Sequence, residues 1–529
     1  MVPPIEAIVL NRLAFGPRPG DVERLKAQGW TYWLDEQLKP DDANDVECNR
    51  RLGTAKLRIS YGPGKEKGVS WKKLEENRPL SLMNKPIGEI WHLADYNNPM
   101  PYQERVRPFQ EVKAATWMRA VYSKWQLREV MADFWHNHFN VSAEVDEAVQ
   151  LAFPTYDRDV IRKHAFGNFR EFIESVAKSV AMLRYLNNNV SRASPANENY
   201  ARELLELHTL GSEHYLNALY NRWRDVPGAT EGKPTGYIDQ DVYETARAFT
   251  GWTYGGGQWA RDDEHLPNNG EFLYYEPWHD NYQKRVLATE FDPNQPPMAD
   301  GRRVLDLLCA HPATARHLCL KLCRRLVADD PPESLVAVAV DVWTRQANAP
   351  DQIAQTIRAI ATSDEFAATW GRKVKRPLEF VASLLRCTEV EFTPDGDFMW
   401  TVDQSNQRIF NWPAPDGHPD SQGFWLGAST MLARWKMPVA VTDGWFHPMR
   451  TQLMRAMPND QMTCRQVAEF WAIRVLGYTP ADSTLATLVE FASHGTSPDA
   501  LLPGGERENL ERIGQLVALV AMTPEFHLR

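Results

Sequence analysis

Apolar residues recur at three- and four-residue spacing through most of this chain, and that period admits little besides α-helix. Val304, Leu307, Leu308, Ala315, Leu318, Leu322 and Leu326 keep it across one stretch, interrupted near His311-Pro312, where a new helix starts. Similar amphipathic runs cover 21–37, 103–135, 157–186, 239–249, 335–345, 350–362, 377–387, 465–475, 483–493 and 507–522. A length of 529 residues exceeds what one compact core usually covers. The pattern predicts a mainly α protein with a large multi-helix core of α/α type and little strand, built as one toroid or two lobes. Residues 1–390 read as the main helical domain. Residues 391–529 read as an aromatic loop and a C-terminal helical part, continuous with the first or separate from it.

Two stretches break the helical texture. Between 251 and 297, Gly255-Gly256-Gly257, Asn268-Asn269-Gly270 and the prolines 293, 296 and 297 region mark a long irregular insertion, with Phe272 to Tyr275 its one strand-like piece. A second, aromatic and proline-rich stretch runs from Phe410 to Trp425. Long ordered loops on a helical scaffold tend to carry function.

The formal charge of -10 argues against general nucleic-acid binding, which needs a basic surface. Lys65, Lys67, Lys72 and Lys73 cluster among Gly62, Gly64 and Gly68, and read as an exposed mobile loop. No apolar run is long enough to span a bilayer. Met1 to Ala7 lacks the charged and apolar regions of an export signal, which reads as cytoplasmic; a trimmed mature form would read as periplasmic or exported. The six cysteines include no Cys-x-x-Cys pair, and Cys319 and Cys323 fall at packing positions of a helix.

Polar chemistry concentrates in three places. Residues 194–211 read as one helix capped by Ser194, opened by Pro195 and closed by Gly211. At about 100° per residue, Asn199, Arg202, Glu203 and Glu206 share a face of it. Glu203 and Glu206, three apart, can raise one another's pKa, so that one serves as a general acid near neutral pH. In Asp133-Phe134-Trp135-His136-Asn137-His138-Phe139, His136 and His138 point the same way if the backbone is extended, and could then grip a metal. In a helix they would diverge by about 200°. His279-Asp280, inside the insertion, is the third cluster. Nucleotide-binding glycine loops, serine-hydrolase elbows and haem-attachment motifs are absent.

Several of these motifs resemble the bacterial family catalogued as domain of unknown function 1800. The likeness begins at Leu10-Asn11-Arg12-Leu13-Ala14-Phe15-Gly16-Pro17 and includes Phe134 to Phe139 and Asn197 to Gly211. It continues through Asp241 to Trp252, His279-Asp280, His311 to Ala315, Lys375 to Phe380 and Trp412 to Gly417. Residues 212–235 read as an insertion between two of the family's motifs. The resemblance implies a shared polar site, and it implies a partner of a phosphatase- or sulfatase-like family whose genes often lie nearby.

Together these readings predict a hydrolase acting on a polar, carbohydrate-containing substrate. Glu203, Glu206, Asp280 and His279 are the expected catalytic groups. Asn137, Asn199, Arg202, Trp252, Trp278 and Trp412 are the expected substrate contacts, the tryptophans stacking on sugar rings. His136 and His138 are the expected ligands of one divalent metal ion. The alternatives are a metal-dependent oxidoreductase with a His/carboxylate centre, or a non-catalytic scaffold or assembly partner. All of this depends on the three clusters meeting in space.

Overall fold

Prolines and polar caps set where the helices start. Pro108, Pro312, Pro377 and Pro524 open Arg107–Tyr122, Pro312–Leu326, Pro377–Thr388 and Pro524–His527. At those positions the missing N–H removes no helical hydrogen bond. Asn168 caps Phe169–Lys178 by accepting from the amides of Arg170 and Glu171. The computed structural model describes residues 2–261, 263–392, 394–443, 450–459 and 461–529. It is 57% helical and 9% strand, so the fold is mainly α. Among the described residues the sheets are all two-stranded and antiparallel, and no helix is long and apolar enough to cross a membrane.

One cluster of buried apolar side chains runs from Ala7 to Phe526 and takes residues from both sides of position 390. The segment expected as an irregular insertion folds into hairpins. Trp252–Gly256 pairs with Asn268–Tyr274, Trp259–Arg261 with Glu264–His265, and Lys284–Val286 with Thr289–Phe291. The lysine-rich stretch is likewise a hairpin, Lys56–Tyr61 against Leu74–Pro79, extended by Gly64–Glu66 and Val69–Trp71.

Two helices depart from the α period in a way that periodicity could not foretell. Residues 194–211 are not one capped helix. The Asn197 carboxamide accepts from the Asn199 amide, the helix begins at Asn199, and after Glu203 it widens into a π-helix over Leu204–Thr209. Gly211 does close the segment, at φ 96°. A second π-helix, Tyr156–Arg162, follows Glu147–Thr155 without a break. Such segments bond each amide five residues back and add a residue to the turn.

Charge is buried where these elements meet. Glu379, near the start of Pro377–Thr388, accepts from Arg325 and Arg529 and, at 2.7 Å, from the Arg376 amide. Asp133 accepts from Arg376 and, at 3.1 Å, from Arg325. Arg529 also donates to the Arg12 carbonyl at 2.8 Å, joining the first helix, Ile5–Arg12, to the end of the chain. Burial disfavours ionised Glu379, but three guanidiniums outweigh it and hold the carboxyl well below its ordinary range. Replacing Glu379 by Ala would leave buried arginines without their counter-ion, and should cost about 3–5 kcal/mol in denaturant unfolding. A loss under about 1 kcal/mol, the ceiling for exposed pairs, would mean the network is solvent-screened.

Candidate functional site

The His-x-His segment is the last turn of the helix Gln126–His138, so its two histidines face different neighbours. His136 turns inward, its Nε2 3.0 Å from Oδ1 of Asp157, its ring against Phe153 and Phe410. Asp157 comes from the π-helix Tyr156–Arg162, whose Arg162 donates to Asp157 at 3.1 Å and pairs with Glu129. Burial opposes ionisation of Asp157, yet Arg162, His136 and Arg119 keep its carboxyl far below the usual range. This histidine–carboxylate pair lines a small cavity with Asp133, Asn137, Asn140, Phe410 and His418.

His138 turns the other way. It is 1% exposed, and neither ring nitrogen meets a hydrogen-bond partner. Its neighbours are His208, with ring centroids 6.1 Å apart, and His317, at 6.3 Å. His208 lies on the π-helix Leu204–Thr209, is 0% exposed, and also has both ring nitrogens unpartnered. Burial, aided by Lys321, pushes the His208 pKa down to about 3 and holds that of His138 well below its ordinary value. Both rings are therefore neutral. His317, on Pro312–Leu326, bonds through Nε2 to the Leu207 carbonyl at 3.2 Å, with Nδ1 3.7 Å from Glu213. One turn along the same helix stands Lys321, whose pKa burial pushes down to about 8.

His138, His317 and Lys321 line a cleft of ≈ 660 Å³ between Pro312–Leu326 and the loop 416–420, with Asn137 also on its wall. The loop is held by side chains of the His-x-His helix and its exit. Asn137 donates to the His418 carbonyl at 2.9 Å and accepts from the His418 amide at 2.7 Å. Asn140 donates to the carbonyls of Trp412 and Ala414 at 3.0 and 2.7 Å, and Tyr185 donates to that of Pro413 at 2.7 Å. Gly417 sits at φ 76°, and a Cβ there would fall 2.2 Å from the Asn137 carbonyl oxygen, so only glycine fits. Trp412 donates to Asp416 at 2.9 Å and lies against His418. Glu203 is half-buried close enough to Asp416 and Glu206 to feel both charges. Burial first, then Glu206 and Asp416, raise its pKa to about 7.

A family model settles which family the chain falls in. The model described as "Protein of unknown function (DUF1800)" covers residues 8–528. The chain belongs to that family. No curated protein and no solved structure matches it. The DUF1800 match takes in every residue of the cleft.

Of the expected site residues, this DUF1800 chain puts His138 and Asn137 on the cleft's wall; Glu203 is joined to it through the charge of Asp416 and Trp412 through its hydrogen bond to Asp416. Asn137 acts there as the loop's anchor. His136 faces the smaller cavity beside Asp157 instead, so the pair offers no two-His grip. Among the described residues no three of His, Cys, Asp or Glu gather as a metal's ligands would. His279 and Asp280 belong to another buried network. Arg247 donates to Asp280 at 2.7 and 3.0 Å, Lys284 donates to its carbonyl, and His279 bonds Thr250 and Asp300. Each of their strong partners is local, and among the described residues no hydrogen bond links their side chains to the cleft. Trp252 packs between Phe249 and Phe272, and Trp278 donates to the Ala260 carbonyl; both are buried away from solvent. Asn199 is exposed, and Arg202 lies 3.7 Å from Glu198 and 3.6 Å from Asp239 at the surface.

Sequence reasoning missed His208, His317, Lys321, Asp157 and Asp416. His317 and Lys321 are four apart on one helix, a spacing that signals a shared face. Asn137→Ala should free the loop at a cost of about 1–3 kcal/mol, since it strands the His418 amide and carbonyl. Hydrogen exchange at His418 should then quicken relative to the His136–Asp157 side; unchanged exchange would show that Asn140 and Tyr185 hold the loop alone.

Proposed function

We propose that this protein is a hydrolase acting on a polar, carbohydrate-containing substrate at the cleft, with Glu203 as general acid. The observation that supports the reading is the environment of Glu203. A half-buried carboxyl beside two further carboxylates keeps its proton up to about pH 7. In this reading Glu203 gives its proton to the leaving oxygen as the glycosidic C–O bond breaks. Water adds to the anomeric carbon, and its proton passes to Asp416 or Glu206. Trp412, half-buried at the cleft's loop, offers a ring face to the sugar. His279, Asp280, Trp252 and Trp278 take no part, and the reading rests on carboxylates, not on the divergent pair His136 and His138.

Two measurements test it. Release of reducing ends from a panel of neutral and acidic glycans should fall off as pH rises through about 7, because Glu203 must be protonated. Glu203→Gln should lower turnover about 10²–10⁴-fold, the usual range for a general acid. Wild-type turnover in the variant, or no hydrolysis of any glycan, would overturn the proposal. The same group leaves a mark on stability. Its folded pKa of about 7 lies above the unfolded value, so its contribution is full in acid and is lost as pH rises through 7. Glu203→Gln should remove that part of the melting temperature's pH dependence.

A further inference from the structure

We propose that the cleft is a seat for an anionic group, with Lys321 as its central cation, so that the substrate carries a sulfate, phosphate or carboxylate substituent. The inference deepens the hydrolase reading by giving its substrate a charge.

The helix Pro312–Leu326 lays Arg316, His317, Lys321 and Arg324 along the cleft at spacings of one, four and three residues, which keeps them on one side. Arg316 is spent on Glu333, at 3.0 Å, and the charges of Arg325 and Arg376 on Asp133 and Glu379. Lys321 is different. Among the described residues no carboxylate lies within 4 Å of its ammonium, and no hydrogen bond satisfies it. Asp416 and Asp420 are near enough to feel its charge only. Nor are the cleft's acids waiting for it. Glu213 faces His317 at 3.7 Å, Asp416 accepts from Trp412, and Asp420 lies 3.1 Å from Lys373.

A second, independent feature points the same way. His138, at the end of the neighbouring helix Gln126–His138, is almost fully buried with two unpartnered ring nitrogens, one of which carries a proton in the neutral ring. Buried polar groups without partners are rare in folded proteins and call for a missing partner. An oxyanion between Lys321 and His138 would accept from both, with Arg324 at the open edge. The chain's overall charge of -10 makes a local cationic seat a matter of placement, not of composition.

The test uses the full chain and calorimetric titration with sodium sulfate, sodium phosphate and sodium acetate, ionic strength being held with chloride. Saturable 1:1 binding of at least one is expected, and the tightest of the three assigns the substituent as sulfate, phosphate or carboxylate. Lys321→Met should weaken it about tenfold or more, as loss of a charge-assisted bond does, while Lys321→Arg should retain most of it. Lys321→Met removes a partly buried charge that no carboxylate pairs, so its melting temperature should not fall, which separates lost binding from lost folding. Glu203→Gln should bind the anion as the wild type does. No saturable binding above the chloride background, or equal binding by Lys321→Met, would overturn the anion seat. Binding that depends on Lys321 without hydrolysis of any glycan would instead sink the hydrolase reading and leave the seat standing.

Discussion

Asp133 and Glu379, each shared by buried arginines, hold the rest of the structure in register. Through Arg325, Arg376 and Arg529 they tie the helix Gln126–His138, the helix Pro312–Leu326, the start of Pro377–Thr388 and both ends of the described chain into one array. Taking so many charges out of water is expensive, and an apolar cluster of equal volume would often be as stable. What the ions add is geometry. A guanidinium has a fixed fork of donors, so a carboxylate shared by two of them tolerates little sliding of the helices that carry it. Arg325 and Arg376 also floor the cleft, so the array that fixes the helices fixes the cleft's shape as well.

Much of the fold could be read from spacing alone, because a three-and-four apolar period has one regular solution. The helices 312–326 and 377–388 were legible down to their proline starts. The hairpins of 56–79 and 252–291 were not, since most of their strands are too short to establish an alternation, and glycine-rich turns look alike in loops and hairpins. The π-segments were hidden for a deeper reason. A period of 3.6 residues is the assumption on which facing arguments rest, and Tyr156–Arg162 and Leu204–Thr209 break it.

That break explains which site residues sequence reasoning reached. Glu203 stands before the widened turn, where α spacing still places it, and its partnership with Glu206 was legible. His208 stands inside the turn and was assigned no role. The His-x-His pair was ambiguous because its meaning depends on backbone state; the helix sends His136 to Asp157 and His138 to His208. His279-Asp280 and Trp252 were misplaced by composition, which reports that a residue can do chemistry but not whether local partners already occupy it. Lys321 gave no sign at all, because one lysine among helical leucines and arginines looks like a solvated face.

The widened turn at Leu204–Thr209 has a further consequence. A π-turn is an α-helix that has taken in one residue, so it is also the place where the chain can lose one without breaking the helix or shifting its ends. Deleting a single residue there would let the segment rewind to the α period. The ring of His208 would swing away from His138, and the Leu207 carbonyl would leave His317. A helix ordinarily tolerates point changes better than changes of length; here the relation is inverted. A shorter chain would fold more regularly, and would have given up its innermost histidine to do so.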